Sequence, residues 1–224
     1  MKILGIIPAR KGSKGIPGKN TKLLNGKPLI NYSIEQALKS SLDKVVVSTD
    51  CDRVIEICKN YEIDFINRPA RLSTDRSTTL SVLQHALGSI SDSFDAIMTL
   101  QPTSPMRNYV HINESIELFC RDLNADCLVS VVKTPHNFIP EKIMTFSGVY
   151  LSGNATIIRR QDAKEYYARN GAAIYITKKE ILKTHIISGN ILPYFMGKME
   201  SFDIDDIDDW NIVESILKCN PPKN

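Results

Sequence analysis

Five short apolar runs recur along the first part of the chain, at 2–8, 45–47, 63–66, 96–100 and 127–132, and between them apolar residues fall at helical intervals. The run at 2–8 is nearly continuous, the pattern of a strand buried on both faces. Ile34, Ala37, Leu38 and Leu42 follow at helical spacing. Val54, Ile55, Ile57 and Cys58 form a second amphipathic segment after Ser48-Thr49-Asp50, which reads as a strand end and helix N-cap. Further helices are expected at about 78–90 and 109–121. This alternation predicts an α/β fold built on a doubly wound, mostly parallel sheet. Ligands of such sheets bind outside the carboxyl ends of the strands. The loop after the first run, Ser48-Thr49-Asp50 and Gln101-Pro102-Thr103 all fall there.

The first of these loops is the most telling. Residues 6–20, Ile-Ile-Pro-Ala-Arg-Lys-Gly-Ser-Lys-Gly-Ile-Pro-Gly-Lys-Asn, lead an apolar strand into a segment with Gly12, Gly15 and Gly18 beside Arg10, Lys11, Lys14 and Lys19. Glycines let the backbone approach a ligand so that successive N–H groups converge on an anion, and the basic side chains add charge. The spacing is neither Gly-x-x-x-x-Gly-Lys-Ser/Thr nor Gly-x-Gly-x-x-Gly, which points away from a P-loop ATPase and a dinucleotide dehydrogenase. Arg10 and Lys19 are the first candidates for phosphate, the arginine as a planar two-oxygen clamp and the lysine as a mobile point charge.

With 224 residues, 42% hydrophobic and 24% charged, the chain is long enough for one large domain or for one domain plus a protruding subdomain, and the second is expected. Its net charge of +3 is too small for a nucleic-acid or membrane footprint. The distribution says more: basic residues gather near the start, while Asp203, Asp205, Asp206, Asp208 and Asp209 cluster near the end. A fold that joins the two ends would create a site with both phosphate and metal ligands. The 5 cysteines contain no Cys-x-x-Cys pair, which argues against a disulfide framework or a zinc site. With no apolar run near the ~20 residues of a membrane span and no signal region, a cytoplasmic protein is expected.

Residues 134–170 break the strand–helix rhythm with Pro135, Pro140, Gly148 and Gly153 and several short β-like pieces, and read as an arm inserted in the sheet. Asp203 and Asp205 alternate along a strand-like segment, so both carboxylates face one side and invite a cation. Asp206, Asp208 and Asp209 read as the first turn of a helix through Trp210, Ile212, Val213 and Ile216. His85, His111, His136 and His185 share no ligand spacing, and there is no Gly-x-Ser-x-Gly elbow.

Taken in order, Ile7-Pro8-Ala9-Arg10 through Asn20, Gly26-Lys27-Pro28-Leu29-Ile30, Val47-Ser48-Thr49-Asp50, Arg68-Pro69 with Leu72-Ser73-x-Asp75, Leu100 to Arg107, Arg169-Asn170-Gly171 and Phe202 to Asp206 resemble the N-acylneuraminate cytidylyltransferase family from end to end. The resemblance implies a Rossmann-like nucleotidyltransferase domain in which 134–170 is a dimerisation subdomain. It implies transfer of CMP from CTP to the anomeric hydroxyl of a nonulosonic, sialic-acid-like α-keto sugar acid, for cell-surface polysaccharide synthesis. It places the nucleotide on Ala9, Arg10, Gly12, Ser13, Lys19, Asn20, Arg68 and Ser73, and Mg²⁺ on Asp203 and Asp205. The catalytic set is then Arg10, Lys19, Asp203 and Asp205. Gln101, Arg159, Arg160, Arg169, Asn170 and Tyr175 are the candidates for the sugar, some acting across a homodimer. Asn170 to Tyr175 is one residue longer than the family's Asn-Gly-Ala-Ile-Tyr. The alternatives are a cytidylyltransferase for a 3-deoxy-octulosonate-type sugar, or an inactive nucleotide-binding homologue; Arg10, Lys19 and Asp203 weigh against the latter.

Overall fold

The computed structural model describes residues 1–153, 159, 161 and 164–219. In chain order its elements are β1 (Ile3–Ala9), the short hairpin β2 (Leu23–Leu24) and β3 (Lys27–Pro28), α1 (Leu29–Leu38), β4 (Lys44–Thr49), α2 (Asp52–Asn60), β5 (Asp64–Asn67), α3 (Thr79–Gly88), β6 (Ala96–Thr99), α4 (Tyr109–Arg121) and β7 (Cys127–Lys133). Then come β8 (Met144–Phe146), β9 (Leu151–Gly153), β10 (Tyr167–Arg169), β11 (Tyr175–Lys178), α5 (Lys179–Leu182), β12 (Ile191–Phe195) and α6 (Ile207–Cys219). The expected doubly wound sheet is present. β1 lies at its centre, paired in parallel with β4 and β6, and β5 extends the β4 side.

Alternation along β1 sorts the core into two layers. Ile3 and Ile7 pack with Ile30 and Ile34 of α1, Val54 and Cys58 of α2, and Ile112 and Phe119 of α4. Leu4 and Ile6 face the opposite side, against Leu83 and Ala86 of α3 and Leu182 of α5. Such a strand has no polar face, so it reads as a solid apolar run.

The sequence pattern did not disclose that β10 and β11 run antiparallel along one edge of β7, with β11 wedged between β6 and β7. The register steps from Arg169 opposite Val131 to Tyr175 opposite Val129, so residues 170–174 leave the ladder as a loop. Ser130 fastens that loop: its hydroxyl donates to Asn170 Oδ1 at 2.6 Å and accepts from the Ile174 N–H at 2.9 Å. On the other edge of β7, β12 runs parallel and carries Pro193, which an edge strand tolerates.

A third cluster ties the chain ends together. Trp210, Val213 and Leu217 of α6 pack on Ile16, Leu24, Leu29 and Tyr32. The C-terminal helix therefore lies against the basic glycine loop and the start of α1.

Two local readings are corrected. Helix α2 starts at Asp52 with Cys51 as its N-cap and no side-chain cap, so Ser48-Thr49-Asp50 is not a capping segment. Asp50 instead accepts the Lys11 N–H at 2.8 Å and anchors the glycine loop. Phe202 to Asp205 is not a strand in any sheet. It is an extended connection held by the Ile204 N–H on the Thr103 carbonyl at 2.8 Å. Within 134–170, β8 and β9 form an exposed antiparallel hairpin, while β10 already belongs to the main sheet.

Candidate active site

The carboxyl ends of β1, β5 and β6 open onto a cavity of about 300 Å³. Arg10, Gly12, Ser13, Lys19, Asn20, Arg68, Gln101 and Asp205 line it, along with residues of the 72–79 loop. A second cavity of about 850 Å³ lies beside it, lined by Gln101, Arg169, Gly171, Tyr175 and Asp203 among others. Gln101 and Thr79 border both. The two carboxylates are divided in the same way: Asp205 opens on the smaller cavity and Asp203 on the larger.

Each wall is fixed by main-chain contacts. The Lys19 ammonium donates to the Ile204 carbonyl at 2.6 Å, which clamps the Asp203–Asp205 connection to the glycine loop. Gly15 makes this approach possible, since a Cβ there would meet the Asp205 carbonyl oxygen at 2.2 Å. Asn20 holds the loop from within by donating to the Arg10 carbonyl at 3.0 Å. Arg10 itself is ion-paired to Asp75 at 2.7 Å, and Lys14 reaches the same carboxylate at 3.2 Å.

Arg68 is buried and donates to the Ser48 carbonyl at 2.7 Å and to its hydroxyl at 3.3 Å. Burial brings its guanidinium down to about 10, with Asp50 opposing the shift and Arg10 adding to it. Ala9, at the end of β1, is wholly buried and offers only its main chain. Ser73 is not among the lining residues; its hydroxyl donates to the Pro69 carbonyl at 3.4 Å.

On the side of the larger cavity, burial raises the Asp203 carboxyl above its ordinary value, the Thr103 hydroxyl opposes the rise, and the nearby Asp205 charge adds to it. Ser104 donates to Asp203 at 3.4 Å. Tyr175 is buried at the start of β11, and this burial raises its phenol. Arg169 lines the cavity. Asn170 does not: its amide is buried between Ser130 and Ser201, to which it donates at 3.0 Å, and it shapes the loop that carries Gly171. Arg159 is exposed, and Arg160 lies outside the described residues.

Several contributors were missed at the sequence level. Arg107 is fully buried and donates to the Gln101 and Ala173 carbonyls at 3.3 and 2.7 Å and to the Ser33 hydroxyl at 2.6 Å, bracing the loops of both cavities. Burial brings its guanidinium down to about 9. Thr99 lines the larger cavity with a buried hydroxyl that has no hydrogen-bond partner among the described residues. Arg107 and Asp75 stand inside motifs that the sequence displays, but nothing about their residue type told a brace or a counter-charge from a ligand contact.

A family model described as Cytidylyltransferase matches residues 4–213. The chain belongs to the cytidylyltransferase family. It is 37% identical over 221 residues to an N-acylneuraminate cytidylyltransferase of Escherichia coli O18:K1:H7, covering 96% of this chain and 52% of that protein. The chain thus spans about half the length of the N-acylneuraminate cytidylyltransferases it matches first. The CMP-N,N'-diacetyllegionaminic acid synthase of Legionella pneumophila is 30% identical over 240 residues, covering 98% of each protein. A CMP:2-keto-3-deoxy-manno-octonic acid synthetase, solved in complex with CTP, shares the fold with a TM-score of 0.76 at 19% identity, over 98% of this chain and 99% of that one. These relatives bear out the family resemblance that the separated motifs carried.

Proposed function

We propose that the chain transfers CMP from CTP to the anomeric hydroxyl of a nonulosonic acid. The anomeric hydroxyl gives up its proton to solvent as its oxygen bonds to the α-phosphorus, the bond from that phosphorus to the oxygen it shares with the β-phosphate breaks, and pyrophosphate leaves with that electron pair. The observation that carries this reading is the division of labour about Gln101: a small cationic cavity and a larger one meet there, with one carboxylate turned to each. Arg10 and Lys19 supply charge for the phosphates, and Arg68 and Gln101 stand where a base, ribose or sugar would lie. Arg169 and Tyr175 line the acceptor side.

Asp203 and Asp205 suit Mg²⁺, a hard cation that takes one or two protein carboxylates together with phosphate oxygens. The fit rests on Asp203, a half-buried carboxylate raised by desolvation and by a like-charged neighbour, which a cation would relieve. When bound there, Mg²⁺ would neutralise phosphate charge and polarise the acceptor hydroxyl. Among the described residues no helix is long and apolar enough to cross a membrane. A cytoplasmic location is part of the proposal. The exposed arm supports a homodimer.

The test is pyrophosphate release by purified protein given CTP, Mg²⁺ and a panel of nonulosonic acids, with 3-deoxy-octulosonate as the competing acceptor. Release is expected only when all three components are present, and release with the octulosonate alone would change the acceptor class. Asp203→Ala and Asp205→Ala should each lower turnover by orders of magnitude. Asp208→Ala, in the first turn of α6, should cost only about 0.3–1 kcal/mol of stability. Equal losses of turnover at all three would place the boundary between site and helix elsewhere.

A further inference from the structure

The smaller cavity contains a charge of the wrong sign for an anionic ligand. Asp75 lines it, and its carboxylate is joined to Arg10 at 2.7 Å and to Lys14 at 3.2 Å. The loop that presents it is tied to itself: Ser77 Oγ donates to the Arg71 carbonyl at 3.1 Å, and the Thr74 N–H donates to Ser77 Oγ at 3.2 Å. Such ties deliver the carboxylate to a defined place rather than leaving it on a loose segment. Its acid is held below the ordinary value by the Arg10 and Lys14 contacts, so it is ionised wherever the phosphates are. A fixed negative group next to a polyphosphate repels it. Asp75 and an anionic ligand in this cavity would compete for the same guanidinium.

We propose that Asp75 is a positioning residue that competes with polyphosphate for Arg10, holding the clamp in place between turnovers and helping to displace pyrophosphate after transfer. The proposal rests on the reading of the smaller cavity as the triphosphate site. Its arithmetic is that of a partly occupied competent state: apparent affinity is lowered by the fraction of molecules in which Arg10 is taken. Lys14, largely exposed, strengthens the competitor but is not itself among the lining residues.

The consequence has the opposite sign from that of an ordinary binding-site mutation. Asp75→Asn keeps the shape of the side chain, removes its charge and should tighten binding by about two- to fivefold, the factor that an ion pair at this exposure carries. The measurement is calorimetric titration of inorganic pyrophosphate and, separately, of CTP, into wild type, Asp75→Asn and Asp75→Glu, in EDTA and in Mg²⁺. Pyrophosphate should bind Asp75→Asn more tightly in both buffers and inhibit its turnover at lower concentration, while Asp75→Glu stays near wild type. Unchanged affinity would reduce the pair to a surface contact and overturn the proposal. Weaker binding, in either buffer, would overturn it by making Asp75 a contact to the ligand or its cation. Failure of the wild type to bind either CTP or pyrophosphate would instead sink the triphosphate reading, because these titrations need no sugar acceptor.

Discussion

One hydrogen atom separates Gly171 from a collision with the Asp203 carboxylate. A Cβ at that position would lie 2.1 Å from the carboxyl carbon and from one of its oxygens, and the backbone there has φ 66°. Gly12, which lines the smaller cavity, has nothing within 4 Å of its would-be Cβ. The two glycines look equally diagnostic in the sequence, yet only one is sterically required. Gly171→Ala should cost about 1–2 kcal/mol for the left-handed backbone and, by pushing Asp203 aside, lower turnover about a hundredfold. Gly12→Ala should stay within about 0.5 kcal/mol of wild type in stability. Urea unfolding and steady-state rates of the two variants check this contrast; comparable effects at both positions would mean that the Asp203 side chain gives way without harm. What was legible at this scale was residue type and order: Arg10, Lys19, Arg68, Gln101, Arg169 and Tyr175 all line one cavity or the other. What was not legible was which polar groups the fold itself consumes. Asn170 spends its amide on Ser130 and Ser201, and Ser73 spends its hydroxyl on Pro69.

Helix α4 shows how an element ending can carry a pH dependence. Asn108 accepts the Val110 and His111 N–H groups at 3.0 and 3.1 Å, and His111 Nδ1 accepts the Asn108 N–H at 3.3 Å, a reciprocal capping box. The accepting nitrogen must be unprotonated. Burial lowers the imidazole below its ordinary value, Glu200 and Glu114 oppose that shift, and Arg107 adds to it. A folded value below the unfolded one means that His111 contributes its full stability above the ordinary imidazole range and loses it as pH falls through that range towards the lower folded value. The histidine's stabilisation of α4 should therefore fade as pH falls through and below the ordinary imidazole range, whereas His111→Gln, which keeps a capping-box acceptor, should show a flatter profile. Chemical denaturation across that range decides it; parallel profiles would assign the acid sensitivity to other groups. Elements of this kind were mostly visible beforehand, because β1, β4, β6 and β7 and helices α1 to α4 follow local periodicity. The insertion of β11 between β6 and β7 was not, since pairing partners across a sheet are set by tertiary contacts that no local pattern encodes.

At the scale of the whole molecule, the arm leaves apolar surface uncovered. Phe146 and Tyr150 on the β8–β9 hairpin are 69% and 77% exposed, and Phe138, Ile143, Val149 and Leu151 are exposed beside them. Tyr167 and Phe195, also exposed, stack edge-to-face with ring centres 4.9 Å apart where β10 and β12 flank β7. A hairpin with every strand residue exposed cannot stabilise itself by burial. Exchange of the same arm between two copies would cover it, and an isologous contact places each arm against its neighbour in the same way. We expect sedimentation to show a dimer, and Phe146→Asp with Tyr150→Asp to give a monomer. If the arm also completes the neighbour's acceptor cavity, two inactive variants should complement each other. Asp203→Ala disables one protomer's own carboxylate, and Arg159→Ala with Arg160→Ala disables what the arm brings to its partner. Subunit exchange between them pairs an intact arm with an intact carboxylate at one site of each mixed dimer, so about a quarter of wild-type activity should return in an equimolar mixture. A monomer at working concentration would remove the dimer, and a dimer without complementation would keep the interface but confine each acceptor site to a single chain.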